Sequence, residues 1–218
     1  KKSIPSTKIR QSIFTVTNKD MIKEYWKIRK ESVGLAAKQL SPNLNRVSRQ
    51  PIPFIEDTVV PPKNVSKYIE DFKKILDKYK LSYSMYGHTD VGCIHVRPAL
   101  NMLSKKDQAM IRPITTDVKK LVKKYNGLFW GEHSKGYRSE FSEEFFGKEC
   151  MKLIKKIKHY CDPKEKLNPG KIVSLNEKST IRIDSDFRGK FDTQIKKEDQ
   201  GKILTAIQCN GNGKCFNN

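Results

Sequence analysis

Residues 81–100, LSYSMYGHTDVGCIHVRPAL, constrain the fold more than any other stretch of the chain. Two runs rich in Tyr, Val and Ile, LSYSMYGH and CIHVRPAL, flank the bend GHTDVGC, which is the pattern of an antiparallel hairpin. A hairpin is stable only when further strands or helices cover one of its faces. The neighbouring sequence supplies helices. VSKYIEDFKKILDKYK (65–80) and DQAMIRPITTDVKKLVKKY (107–125) repeat apolar residues every three or four positions, the helical period. Asn64 or Ser66 is placed to cap the first, and Pro113 is expected to break or restart the second.

Further elements extend the alternation. SIFTVTN (12–18) reads as a strand, and residues 18–40 as a helix capped by Asn18, with Met21, Ile22, Tyr25, Trp26, Ile28, Arg29 and Val33 along one face. PFIEDTVVPP (53–62) reads as a short strand closed by prolines, and GLFWGEH (127–133) as a strand running into a loop. Residues 141–161 read as another helix, and DPKEKLNPGK (162–171) as a turn. The order predicts an α+β domain over 1–173, an antiparallel sheet with helices packed on one face. Residues 174–204 are polar and poorly periodic, as in a connecting segment. Residues 205–218 carry Cys209 and Cys215 around a Gly/Asn-rich loop, like the start of a further domain.

Charge and cysteine usage narrow the class. Lys+Arg number 44 against 24 Asp+Glu, a formal net charge of +20, which raises nucleic-acid binding as an alternative function. Only nine of those cations are arginine, and no basic stripe alternates with aromatics, so no nucleic acid is expected as a partner. The five cysteines are scattered and odd in number, as in a reducing compartment. No apolar run is long enough to cross a bilayer, and the chain reads as a soluble, cytoplasmic protein.

Three places carry chemistry. If the hairpin turns about Val91–Gly92, His88 faces His95 across it, with Cβ atoms roughly 5 Å apart, near enough for both imidazoles to hold one ion. WGEHSKG (130–136) offers Glu132 as a third ligand, and two His with one carboxylate leave open positions on a metal. His133 beside it is then free to act as general base. Arg29, one helical turn after Trp26, can clamp a carboxylate or serve as a salt-bridge partner. Cys93 is either a small buried filler or a fourth ligand.

GHTDVGCIH, then WGEHSKG, then DPKEKLNPGK, in that order from about residue 12 to 173, resemble the landmarks of the C-terminal domain of the FAD-linked oxidases. This is the flavoprotein family of D-lactate, glycolate and D-2-hydroxyglutarate dehydrogenases. PFIEDTVVPP, GEHSKGYRSE and QCNGNGKC resemble its large bacterial branch, in which the flavin enzyme is fused to a ferredoxin-type iron–sulfur domain. The resemblance implies a fold with ferredoxin-like subdomains and oxidation of a D-2-hydroxyacid by hydride transfer to FAD. It implies a divalent metal, typically zinc, on His88, His95 and Glu132, with His133 as the base and Arg29 binding the substrate carboxylate. Asn168, Pro169 and Gly170 would approach the flavin, and Cys209 and Cys215 would help hold an iron–sulfur cluster, unless they are idle thiols. The implied partners are the FAD and iron–sulfur domains of the same polypeptide and a downstream electron acceptor, with a peripheral seat at the inner membrane as the alternative location. Two departures from the family pattern stand out: the glycine between the histidines is displaced to Gly92, and Ser134 replaces the glycine after His133.

Overall fold

A computed structural model describes residues 15–40, 49–134, 136–176, 180–187, 189–202 and 206, and leaves side chains 33–40 and 137 undescribed. Within it, helix α1 spans Lys19–Leu40, strand β1 Gln50–Pro51, β2 Thr58–Val59, α2 Val65–Lys78, β3 Tyr83–His88 and β4 Cys93–Leu100. Then follow α3 Lys105–Ala109, α4 Ile111–Lys124, a 3₁₀ segment Gly136–Phe141, α5 Ser142–Cys161 and α6 Lys197–Gln200. The architecture is α+β, as the sequence predicts.

β4 is the common strand. β3 pairs with it antiparallel along its length, β1 meets its C-terminal end and β2 its N-terminal end. Alternation along a strand sends neighbouring side chains to opposite faces. Ile94, Val96 and Leu100 therefore enter the core, where Tyr68, Phe72 and Leu76 of α2 meet Ile114, Val118 and Val122 of α4. Each such fully buried apolar side chain contributes about 1.5–3 kcal/mol. Cys93, His95 and Arg97 take the other face, so one strand separates the core from the chemistry.

Local signals explain most boundaries. The Asn18 side chain accepts the backbone N–H of Asp20 and Met21 and starts α1 as expected. α2 begins differently: Asn64 makes no side-chain cap, and a 3₁₀ turn over Pro62–Asn64 leads the chain into the helix. The expected 107–125 helix is two pieces, broken at Met110, and Pro113 falls in the first turn of α4, where its missing N–H costs nothing. GLFWGEH makes only a single bridge, Leu128 to Val59, before turning away. Of SIFTVTN, residues 12–14 lie outside the described residues, and 15–18 form no strand.

The 174–204 stretch packs onto the domain at Ile183 and Phe187, both buried in the core. Arg112 grips Glu140 and Asp184 together, joining α4, the 3₁₀ segment and this stretch. The turn after α5 is organised by Asp162, whose carboxylate accepts the ammonium of Lys158 and the N–H groups of Lys166 and Leu167. Lys158 first, then those amides, hold the Asp162 carboxyl down to about 2. A carboxyl depressed by folding stabilises fully above its ordinary value of 3.8 and stops doing so as the pH falls through its folded value. The turn is thus expected to stay ordered from neutral pH to below 4 and to open near pH 2. An NMR titration midpoint for Asp162 at or above 3.8 would refute this.

Candidate metal centre

The site begins at the hairpin turn. The register pairs His95 with Tyr86 and His88 with Cys93, so the expected His88–His95 pairing does not form. The turn centres on Asp90–Val91, because Gly92 closes it with φ of 75°, a conformation that suits glycine. A Cβ on Gly92 would also meet the carbonyl oxygen of Val60 at 1.9 Å. The displaced glycine therefore stands where this turn requires one. A two-residue slip preserves the face of every side chain, so both histidines still point the same way, as diagonal neighbours with ring centroids 5.7 Å apart.

Residues 131–134 arrive from the far side and are held by a single carboxylate. Asp57, fully buried with φ of 69°, accepts the backbone N–H groups of Gly131 at 3.0 Å, Glu132 at 2.8 Å and His133 at 2.9 Å. Burial pushes the Asp57 carboxyl up, but these donors outweigh it and hold it below its ordinary value. Gly131 is needed for the approach, since a Cβ there would meet the Cys93 Sγ, Val59 and Asp57 all within 2.8 Å. The Cys93 thiol also leans on Asp57, and burial first, then that carboxylate, pushes it up to about 12. Cys93 packs as a buried thiol against the site.

This scaffold converges three imidazoles on one oxygen. Glu132 Oε1 lies 2.9 Å from His95 Nε2, 3.2 Å from His88 Nε2 and 3.4 Å from His133 Nε2. The His133 ring stacks on His95 with centroids 4.8 Å apart. Burial, then the neighbouring His133, push His95 below its ordinary range despite nearby carboxylates, so its imidazole is neutral at pH 7. Neutral imidazoles and a carboxylate are the donor set of a divalent transition metal. The donors whose atoms all lie within 4.8 Å of one another are Asp57, His95, Glu132 and His133, a set without His88; the Asp57 oxygens already accept the three amides and the Cys93 thiol. Of these donors His88 and Glu132, but neither His95 nor His133, line an open cleft of about 450 Å³, together with Asp90, Val91, Cys93 and Gly131.

The other sequence-predicted residues lie elsewhere. Arg29 is exposed on α1, its guanidinium 5.2 Å from the Trp26 ring centroid. Asn168 and Pro169 are exposed, and Gly170 is buried with φ of 74°. That loop is tied to the segment after the site, where Ser139 Oγ accepts the N–H of Ile172. Cys209 and Cys215 lie outside the described residues. Sequence reasoning missed Glu56, Asp57, Arg97 and Arg138. Arg97 bonds Glu56 at 2.6 Å, and buried Arg138 donates to the Glu56 carbonyl. Their one signal was the adjacent acid pair in PFIEDTVVPP of a strongly basic chain.

Ser134 follows the site with φ of 61°, the left-handed conformation that its replaced glycine would adopt freely. Ser134→Gly is expected to raise stability by about 0.5–1 kcal/mol. A urea-midpoint shift in the opposite direction would count against it.

Comparison with known proteins identifies the family. A family model described as FAD linked oxidases, C-terminal domain, matches residues 2–172. D-2-hydroxyglutarate dehydrogenases of Pantoea ananatis and Escherichia coli are each 41% identical, over 91% and 90% of this chain. The mitochondrial D-lactate dehydrogenase [cytochrome] of Arabidopsis thaliana is 27% identical over 69% of the chain and 25% of its own length. The chain spans 19% of the length of the two bacterial relatives. With the family match over most of its length, the chain belongs to the C-terminal domain family of the FAD linked oxidases.

Proposed function

We propose that this chain is the substrate-binding portion of an FAD-dependent dehydrogenase that oxidises a D-2-hydroxyacid, D-2-hydroxyglutarate or D-lactate, to the 2-oxoacid. The convergence of three imidazole nitrogens on one carboxylate oxygen beside an open cleft carries the reading. The names of the relatives at 41% identity supply the substrate class.

His88, His95 and Glu132 would hold a divalent cation, zinc as the family resemblance implies. The ion would act as Lewis acid and template for the hydroxyl and carboxylate of the substrate, and the flavin would accept the hydride. His133, beside those ligands, takes the hydroxyl proton. Arg29 binds a substrate carboxylate, and Asn168, Pro169 and Gly170 line the flavin side. Residues 174–204 connect to a further domain that begins near 205, where Cys209 and Cys215 contribute to an iron–sulfur cluster. The FAD domain and a downstream electron acceptor complete the electron path. Among the described residues no helix is long and apolar enough to cross a membrane; a cytoplasmic location is part of the proposal.

The full-length protein tests this directly. D-2-hydroxyglutarate or D-lactate should bleach the flavin absorbance anaerobically and reduce an artificial acceptor, with the L enantiomers inactive. No bleaching by any D-2-hydroxyacid would overturn the proposal.

A further inference from the structure

We propose that the outer face of helix α5 is the surface on which the flavin-binding domain of the same polypeptide docks, through an apolar patch edged with carboxylates. This rests on Asn168, Pro169 and Gly170 lining the flavin side, as in the proposed function. The helix begins against the core, where Phe145 stacks on Phe129 and Phe146 on Trp130. Gly147, at φ 78° and ψ 161°, then breaks the helical geometry, and from there to Cys161 no residue of the helix is buried. Isolated helices shorter than about 12–15 residues are marginal in water, and most helical stability comes from packing an apolar face.

Such a face is present and uncovered. Leu153, Ile157 and Tyr160 follow one another at i, i+4 and i+7, which sets them in one stripe. They are 61%, 63% and 90% exposed. Single apolar residues on a surface need no partner, but an aligned stripe marks an interaction site. Met151 and Ile154 are half-buried, so the domain already uses another side of the helix and leaves the stripe outward. Lys148, Lys152 and Lys156, exposed and four apart, run along one edge of the stripe, and a cationic rim is complemented by carboxylates.

The turn that follows α5 names the occupant. Lys158 Nζ reaches Asp162 at 2.6 Å and the Leu167 carbonyl at 2.5 Å, bracing the helix against the 162–172 turn. Leu167 is exposed beside Asn168. The stripe and the residues assigned to the flavin side therefore belong to one braced piece, and a domain that holds the flavin against Asn168 meets α5 as well. The matching family is a C-terminal domain of FAD linked oxidases, and the chain spans only 19% of its bacterial relatives, so in them most of the polypeptide lies outside the matched part.

The test uses the full-length flavoprotein. Carbodiimide joins a lysine to a carboxylate in direct contact. It should link Lys152 or Lys156 to an Asp or Glu of the flavin-binding domain of the same polypeptide, read by mass spectrometry. Leu153→Asp combined with Ile157→Asp puts two charges into the contact. Both positions are exposed within this domain, so the double variant should fold, lose the link and retain flavin about tenfold less tightly. No link from either lysine, or parent flavin affinity in the folded double variant, overturns the proposal. So do links that run only to the iron–sulfur domain or, in mixed isotope-labelled and unlabelled protein, to a second copy. If the double variant does not fold, the links in the parent decide. Parent flavin absorbance and affinity in Asn168→Ala, with the links in place, overturns the flavin-side assignment of that turn instead.

Discussion

If the proposed function holds, replacing His95 by alanine in the full-length protein is expected to lower turnover of a D-2-hydroxyacid by about three orders of magnitude and to abolish binding of the proposed divalent cation. Lewis-acid stabilisation is worth several kcal/mol, and each 1.36 kcal/mol is a factor of ten in rate. His95 is 1% exposed, so the same change opens a cavity and costs roughly 2–3 kcal/mol of stability. His88→Ala separates the two effects. Its side chain is 39% exposed at the end of β3, so its removal should cost under about 1 kcal/mol while still abolishing metal retention. Metal analysis, thermal melting and turnover, measured on both variants, make the comparison. Full turnover in the His88→Ala, His95→Ala double variant would end the metal assignment.

Asp57→Asn is expected to be the most destabilising single change around the site. The carboxylate accepts three backbone amides and the Cys93 thiol. An asparagine keeps one acceptor oxygen and turns an NH₂ group toward remaining N–H donors. Hydrogen bonds to a charged group are worth about 1.5–3 kcal/mol each, and an unpaired buried donor adds its desolvation cost. A loss of about 3–5 kcal/mol follows, with the thermal midpoint falling by about 8–15 °C for a unit of this size. Turnover should fall with it, because Glu132 and His133 lose the backbone that aims them. A loss below 1 kcal/mol by urea titration would show that the 131–133 loop is held by something else.

These effects separate what was legible in the sequence from what was not. The two helices under the sheet and the hairpin were readable because their apolar residues keep one period, as at Tyr68, Phe72 and Leu76. His88, His95, Glu132 and His133 were readable as a group because two histidines on one face of a hairpin invite a third ligand, and GHTDVGCIH and WGEHSKG resemble successive landmarks of one family. The hairpin register was not, because the choice between turns lay in where Gly92 meets the Val60 carbonyl, a contact between distant segments. Asp57 was unreadable for the same reason: its partners lie 74–76 residues away. An aspartate gripping a remote loop has the same letter as one on the surface. Helix α1 was placed correctly, yet Trp26 and Ile28 are more than half exposed, so its apolar face does not join the described core.

The two halves of the site also differ in how they exchange hydrogen with solvent. His95 stands on β4, the strand to which the other three pair, so its amide should exchange only when the domain as a whole opens. The amides of Gly131, Glu132 and His133 are bonded to a side chain, and deuterium enters them whenever Asp57 lets go. Their exchange rates, set against that of β4, record the strength of a single carboxylate's grip without any catalytic assay.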